Sequence, residues 1–334
     1  MSPNAYQLAL LPQPWYPDFS NQDTLRAAGG PHLHTRQPFH HASLPDLVDS
    51  RQAGGRYVLT RAEALASLGV SDEALKKSVQ RLVAKRRLVV PRRGFFVIVP
   101  LEYRQSAAPP PDWYIDALME SCGRQYYVGL LSAAALHGAA REQPQEFQVV
   151  TDIQWRPVAA GRGRIRFFRK QGIAATPTVD VKTETGFMRV STPEATALDL
   201  LRYLHGVGQL GQAATILAEL AAGMDAVRTA EAARLEGDLP NAQRLGHLLD
   251  AVGAGEVGTV LAEWVAQQHP RFVALRPDRP SVGAAKDGRW RVLVNEEVEV
   301  EEFPAMAGDT HDDPERCRGL PDAGPGIDIR TQRR

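Results

Sequence analysis

The chain has 334 residues, and its 39 Lys and Arg residues balance 39 Asp and Glu residues. This length predicts two or three domains, and a hydrophobic content of 43% is that of a globular protein rather than a disordered one. No run approaches the ~20 apolar residues of a membrane span, and the N-terminal residues lack the basic-then-apolar pattern of a signal peptide. Only Cys122 and Cys317 are present, so we expect no disulfide framework and a cytoplasmic protein.

The first 41 residues are weakly patterned. Prolines interrupt any helix, and we expect residues 1–41 to form a disordered extension. The histidines His32, His34, His40 and His41 suggest a metal site, but no Cys or suitably spaced acidic residue accompanies them. We therefore expect no metal ion, and nothing in the chain indicates a cofactor.

Three short helices are predicted after this extension. Ser43–Gln52 has the pattern of a first, supporting helix. Thr60 and Glu63 have the spacing of a capping box at the start of the second helix, and Gly69 is suited to end it. A third helix follows the tight turn at Gly69-Val70, and this order predicts a helix-turn-helix.

The third helix, predicted over Ser71–Arg87, has one apolar and one polar face. Its apolar stripe consists of Leu75, Val79, Leu82 and Val83. At about 100° per residue, basic and amide side chains lie on the other side and its flank: Lys76, Lys77, Gln80 and Arg81. We predict that this helix enters the major groove of DNA, led by Lys76, Lys77 and Gln80, because amides suit adenine and cations suit guanine or phosphate. For Arg81, a base and a phosphate are both open as contacts.

A strand pair follows the third helix. Leu88–Val90 and Phe95–Val99 are apolar β-formers, separated by the turn sequence Pro91-Arg92-Arg93-Gly94. A basic hairpin beside a helix-turn-helix is typical of a winged helix. We therefore predict that Arg92 and Arg93 hold the DNA backbone or the minor groove.

Charge is distributed unevenly along the chain. Residues 51–104 contain twelve Lys and Arg residues and four acidic residues, a net charge of about +8, whereas the whole chain is neutral. This asymmetry favours a nucleic-acid-binding domain over residues 42–104 joined to a domain that does not bind nucleic acid. The alternative is a solvated basic face on a small α/β domain.

The sequence after the basic segment predicts a mixed α/β domain with a helical bundle over residues 105–302. For the chain as a whole we predict an α+β fold. Helices are predicted over 113–122 and 127–137, followed by strands at 147–151 and 164–169 and a hairpin over 179–190. Next come a helix capped at Thr192 and further helices at about 209–222, 224–236, 240–252 and 256–268. Closing strands are predicted at 271–275 and 290–300. We expect residues 303–334 to be a disordered tail.

The strand in GRGRIRFFRK (161–170) projects basic side chains at every second position, namely Arg162, Arg164 and Arg166. Two interpretations are open. The strand is either a second contact for nucleic acid or an acidic partner, or a charged edge strand that resists aggregation.

Several phrases of the sequence carry a family resemblance: RRGFFVIVPLEYR, PPPDWYIDAL, YYVGLLSAAALHGAAREQPQEFQVVTD, GRIRF and MRVSTPEATALDLLRY. In this order, over residues 45–300, they closely resemble the AbiEi-type antitoxins of type IV toxin–antitoxin (abortive infection) systems. The resemblance implies that the N-terminal winged helix binds repeats in double-stranded DNA of the operon's own promoter and represses it. It also implies that the larger C-terminal domain counteracts a nucleotidyltransferase-like toxin, with direct contact left open.

No motif argues for catalysis, since the sequence has no GxxxxGK[ST], nucleophile elbow or HExxH. We therefore expect an antitoxin and autorepressor that is not an enzyme. A winged-helix transcription factor with a ligand-sensing C-terminal domain and no toxin partner is the alternative, and an enzyme of unrecognised class is a further one.

Overall fold

A computed structural model describes residues 43–139 and 144–298. The first lobe, residues 43–99, contains three helices and three strands in the predicted order. They are α1 (Leu44–Ala53), β1 (Val58–Thr60), α2 (Arg61–Leu68), α3 (Asp72–Ala84), β2 (Leu88–Arg92) and β3 (Phe95–Ile98). The predicted extension (1–41) and tail (303–334) lie outside the described residues.

Local sequence explains how the helices of the first lobe begin and end. Thr60 Oγ1 accepts a hydrogen bond from the Glu63 amide (3.2 Å), and Glu63 Oε2 accepts one from the Thr60 amide (2.7 Å). This reciprocal pair is the predicted capping box, and it is confirmed. Gly69 ends α2 at φ +61°, which glycine adopts without strain, and Ser71 Oγ caps α3 by accepting from the Ala74 amide at 3.3 Å.

The three strands of the first lobe form an antiparallel sheet in the order β1-β3-β2. All four residues of the central strand β3 are buried, because both faces of the sheet are covered. Phe96 and Ile98 pack with the helices, in a cluster that includes Leu47, Leu75 and Leu82. The alternate residues of β3 point the other way, towards the rest of the chain.

The second lobe, residues 100–298, is built on a mixed six-stranded sheet in the order β6-β7-β5-β4-β9-β8. Its strands are β4 (Tyr126–Val128), β5 (Phe147–Thr151), β6 (Val158–Ala160), β7 (Gly163–Arg169), β8 (Thr178–Thr183) and β9 (Gly186–Ser191). One face of the sheet packs under α4 (Ile115–Ser121), in a buried cluster with Val128, Val149 and Val190.

The other face of this sheet carries the helical part of the lobe. Its helices are α5 (Leu130–Leu136), α6 (Pro193–Arg202), α7 (Leu204–Val207), α8 (Leu210–Ala221), α9 (Ala226–Glu236), α10 (Leu239–Ala251) and α11 (Thr259–Gln267). A small sheet in the order β10-β12-β11 closes the lobe, from β10 (Val273–Ala274), β11 (Ala285–Asp287) and β12 (Val292–Val294). These elements share one large core, into which Tyr127 and Val150 project from the six-stranded sheet.

The two lobes share a buried cluster, which we call the lobe junction. Phe95 and Val97 of β3 lie in it together with Tyr114, Ile115 and Met119 of the second lobe. The sheet of the first lobe is therefore packed between its own helices and the second lobe. Burying large apolar side chains on both faces ties the stability of the two lobes together.

The α+β fold class is confirmed, and most predicted elements of the second lobe are present, including the hairpin over 179–190 with its turn at Glu184-Thr185. The predicted helix over 127–137 was wrong at its start. Tyr126–Val128 is a strand because it pairs with both β5 and β9. Gly129 then lies so close to Val150 that a Cβ there would be 2.9 Å from Val150 Cγ2, and the helix begins at Leu130.

Three further expectations are corrected. Strand β7 lies between β6 and β5, so the edge-strand interpretation of the basic strand was wrong. Val83 is exposed, because the buried stripe of α3 ends at Leu82. The closing strand predicted over 290–300 spans only Val292–Val294 within the described residues. No helix in the described part of the chain is long and apolar enough to cross a membrane.

Candidate nucleic-acid interface

Helix α3 presents the predicted basic and amide residues outwards. Leu75, Val79 and Leu82 are buried against the rest of the first lobe, which fixes the rotation of the helix about its axis. As a result, all four predicted contact residues on α3 are exposed: Lys76, Lys77, Gln80 and Arg81. The Arg81 guanidinium lies along the helix, donating to Lys77 O and to Ser78 Oγ, both at 3.3 Å.

An ion pair holds the start of α3 against α2. Arg61 Nε donates to Asp72 Oδ1 at 2.6 Å, and this hydrogen bond lowers the pKa of the exposed Asp72 carboxyl. Lys76 and Arg93 add smaller contributions in the same direction. Arg93 therefore lies close enough to Asp72, at the start of α3, to lower its pKa. Helix α3 and one residue of the hairpin tip together form a cationic surface.

Arg92 lies elsewhere. Its guanidinium carbon is 4.6 Å from the ring centroid of Trp155 in the second lobe, and it donates to Cys122 Sγ. Trp155 is itself stacked on Phe167, with ring centroids 5.0 Å apart. The arrangement is a cation–π contact that extends the lobe junction at its edge. All six predicted residues are exposed: four lie on α3, Arg93 lies near the start of that helix, and Arg92 contacts Trp155 at the junction.

Two of the five phrases that carry the family resemblance, those beginning YYVGL and MRVST, meet inside the second lobe. Tyr127, from the first phrase, donates from its hydroxyl to Asp199 Oδ2, from the second, at 2.6 Å. His137 Nε2 donates to the Ser191 carbonyl at 2.7 Å, and Val128 pairs with Val190. These residues are largely internal, so they hold the sheet and helices together rather than forming an exposed site.

A buried network of charges surrounds the Tyr127–Asp199 pair. Lys170 Nζ donates to Asp199 Oδ1 at 2.9 Å and to Glu236 Oε1. Arg202 Nη2 donates to Glu236 Oε2 at 3.0 Å. The side chains of Lys170, Asp199 and Glu236 are 3%, 0% and 2% exposed. We call these three residues together with Tyr127 and Arg202 the Lys170 network.

Electrostatics within this network follows from its burial. Burial raises the pKa of the Glu236 carboxyl, and the neighbouring Asp199 carboxylate raises it further, while Lys170 and Arg202 oppose both effects. Burial also raises the pKa of Tyr127 well above its ordinary value, so that its hydroxyl stays protonated and donates to Asp199. The network is a set of mutually compensated charges whose three central residues are buried.

The sequence did not reveal this network or the lobe junction in advance. These residues are far apart in the chain: Lys170 directly follows β7, Asp199 lies in α6 and Glu236 ends α9. One signal was available in Asp199, an acidic residue between Leu198 and Leu200 in the apolar middle of a predicted helix. A buried acid of this kind needs a cation or donors near it.

The fold and the exposed surface define an α+β protein in which a small basic lobe with a helix-turn-helix arrangement is joined to a larger sheet-and-helix lobe. Residues 127–251 match the sequence model described as the AbiEi antitoxin C-terminal domain. The predicted family is confirmed over that stretch, which is an AbiEi antitoxin domain. The match supports an antitoxin of a toxin–antitoxin system.

One solved structure has a similar fold. The chain is similar to the crystal structure of the RV2827C protein from Mycobacterium tuberculosis, with a TM-score of 0.55 and 16% sequence identity, over 74% of this chain and 89% of that one. At this identity the likeness shows the fold alone. No curated protein sequence matches the chain.

Proposed function

We propose that the protein is the antitoxin of a type IV toxin–antitoxin system and also an autorepressor. In this proposal the first lobe is a winged helix-turn-helix that binds double-stranded DNA in the promoter of its own operon. The second lobe counteracts a nucleotidyltransferase-like toxin encoded alongside, as the family resemblance implies.

The observation that carries the DNA-binding part is the outward display of cations on a rigidly held helix. Lys76, Lys77 and Gln80 are exposed on α3, while the opposite side of the same helix is buried. Arg93 lies near the start of the helix, where a phosphate beside the groove is within its reach. Cationic side chains provide affinity by releasing counterions, and the amide of Gln80 provides discrimination at a base edge.

The test is a DNA-binding titration with the full chain on its own promoter, repeated at several salt concentrations. Lys76→Ala with Lys77→Ala should weaken binding and flatten the slope of log K against log salt by about one to two units. A matched control is Arg234→Ala with Arg271→Ala, which removes two exposed cations from the second lobe. If both double variants lower affinity equally, α3 is not the interface.

Single variants distinguish the two arginines of the hairpin. Arg93→Ala should weaken binding to all sequences, because a phosphate contact carries no sequence information. Arg92→Ala should lower thermal stability and leave the salt slope unchanged, because Arg92 contacts Trp155 in the second lobe. If Arg92→Ala flattens the salt slope and leaves thermal stability unchanged, Arg92 contacts DNA.

The antitoxin part is tested separately by co-expression with the neighbouring toxin gene. The Lys76→Ala, Lys77→Ala variant should protect cells as well as the unaltered chain while failing to repress its promoter. If protection is lost along with DNA binding, the proposed division of labour between the lobes is wrong.

One cleft bears on the sensor alternative. A cleft between the lobes, lined by residues that include Arg56, Asp112, Trp113 and Phe187, has a volume of about 170 Å³. Pockets for small molecules usually measure about 300–1,000 Å³ and bury most of the ligand. The family match over residues 127–251 therefore outweighs this small cleft.

A further inference from the structure

Strand β8 is an open edge of the six-stranded sheet. It pairs with β9 on one side, and no other described strand pairs with it on the other side. Its six residues are exposed or half-buried, and Val179 is 43% exposed. An edge strand of this length carries a row of backbone donors and acceptors that can pair with another strand.

The hydrogen-bond register shows which residues direct their backbone groups outwards. The Thr192 amide donates to the Pro177 carbonyl at 3.1 Å, so residues 177 and 192 form a hydrogen-bonded pair. Such pairs alternate along an antiparallel ladder, which makes Val179–Val190 and Val181–Met188 the next two. The amides and carbonyls of Thr178, Asp180 and Lys182 therefore point away from β9, at the free edge.

The charges of the side chains at these positions are complementary to those of a second copy of β8. Asp180 and Lys182 carry opposite charges two residues apart on this strand, and both are exposed. Suppose that two copies of β8 pair in antiparallel orientation with their Val181 residues opposite each other. Asp180 of each chain then lies opposite Lys182 of the other chain. In this register both pairs have their backbone groups directed at each other, as a hydrogen-bonded pair requires.

A charged edge strand usually prevents pairing, because like charges from two copies meet. Here the same charges favour one register. A register centred on Asp180 would place two carboxylates opposite each other, which is unfavourable. The Val181-centred register also covers the exposed part of Val179 with Thr183 of the second copy.

We propose that β8 is a self-association surface, through which two copies of the chain join their six-stranded sheets edge to edge. A short strand pair buries little surface, so this association is weak and depends on concentration. The proposal concerns the second lobe and does not depend on whether the first lobe binds DNA.

The experiment is sedimentation velocity on the full chain over a series of concentrations, with charge-swapped variants of β8. Asp180→Lys alone and Lys182→Asp alone each place like charges opposite each other twice in the dimer. Each should weaken association by about tenfold or more. The double variant Asp180→Lys with Lys182→Asp restores opposite charges across the pair and should restore association.

Folding is checked in parallel by circular dichroism and thermal unfolding. This check is needed because Asp180 lies opposite Arg189 on β9, so that a lysine at position 180 places two cations opposite each other within one chain. Asp180→Pro provides a test that does not depend on charge. It removes an outward amide and leaves the bonds to β9 in place, so it should abolish association in a folded chain. A chain that stays monomeric at every concentration, or a dimer unaffected by the single swaps, would overturn the proposal.

Discussion

Replacing Lys170 by methionine tests whether the Lys170 network is needed for the stability of the second lobe. Methionine has an unbranched side chain of similar length without the ammonium group, so the packing around Tyr127 is largely kept. The substitution leaves Asp199 and Glu236 without their common cation in a region that water does not reach.

The magnitude follows from what remains. Removing one partner of a buried ion pair typically costs about 3–5 kcal/mol, because a charge is left uncompensated. Glu236 keeps Arg202 at 3.0 Å, whereas among the described residues the side chain of Asp199 keeps only the Tyr127 hydroxyl. We therefore expect a loss at the lower end, about 3 kcal/mol. Adding Asp199→Asn to Lys170→Met should recover part of the loss, since the amide oxygen still accepts from Tyr127 without a charge.

The assay is urea unfolding at neutral pH, with Arg61→Met as the control. The Arg61–Asp72 pair has side chains that are 52% and 59% exposed, and exposed pairs contribute about 0–1 kcal/mol. If Lys170→Met costs no more than Arg61→Met, the network is not a compensated set of buried charges, and the reasoning fails.

Two further predictions concern the junction and the response to acid. Phe95→Ala should lower the free energy of unfolding by about 3–5 kcal/mol, with both lobes still unfolding in one transition; two separate transitions in calorimetry would contradict a shared core. Hydrogen bonds from Arg276 lower the pKa of Asp278 from 3.8 to about 2. The stability that this pair contributes is complete above pH ~4 and is lost as pH falls towards 2, because protonation abolishes it. The Asp278→Asn variant should therefore lose less stability than the unaltered chain when the pH is lowered from about 4 to 2. If both chains lose the same stability over this range, the Arg276–Asp278 pair does not contribute to it.

Features determined by neighbouring residues could be predicted from the sequence. The capping box at Thr60 and Glu63, the αL stop at Gly69 and the outward face of α3 each depend on residues within a few positions of one another. The hairpin turning at Glu184-Thr185 is local in the same sense. The helix-turn-helix pattern and the exposed cations followed from these signals.

Features that depend on distant parts of the chain could not be predicted in this way. Arg92 is adjacent to Arg93 in the sequence, but its position is set by Trp155, on a loop of the other lobe. One sequence signal for the junction was available. Phe95–Val99 is a continuous apolar run, and a strand with one face in water alternates apolar and polar residues instead. The run therefore indicated a strand that is buried on both faces. The strands of a wing that projects freely into solvent are not buried in this way.

The shared core at the junction changes how the two proposed activities can be separated. A chain beginning near Pro109 would lack Phe95 and Val97, and it would expose the apolar side chains of Tyr114 and Ile115 that pack with them. Exposed patches of this kind favour aggregation. Failure of such a fragment to protect cells would therefore report lost stability and say little about whether the first lobe contributes to neutralisation. Substitutions on the outer face of α3 avoid this problem, because Lys76 and Lys77 contribute to neither core.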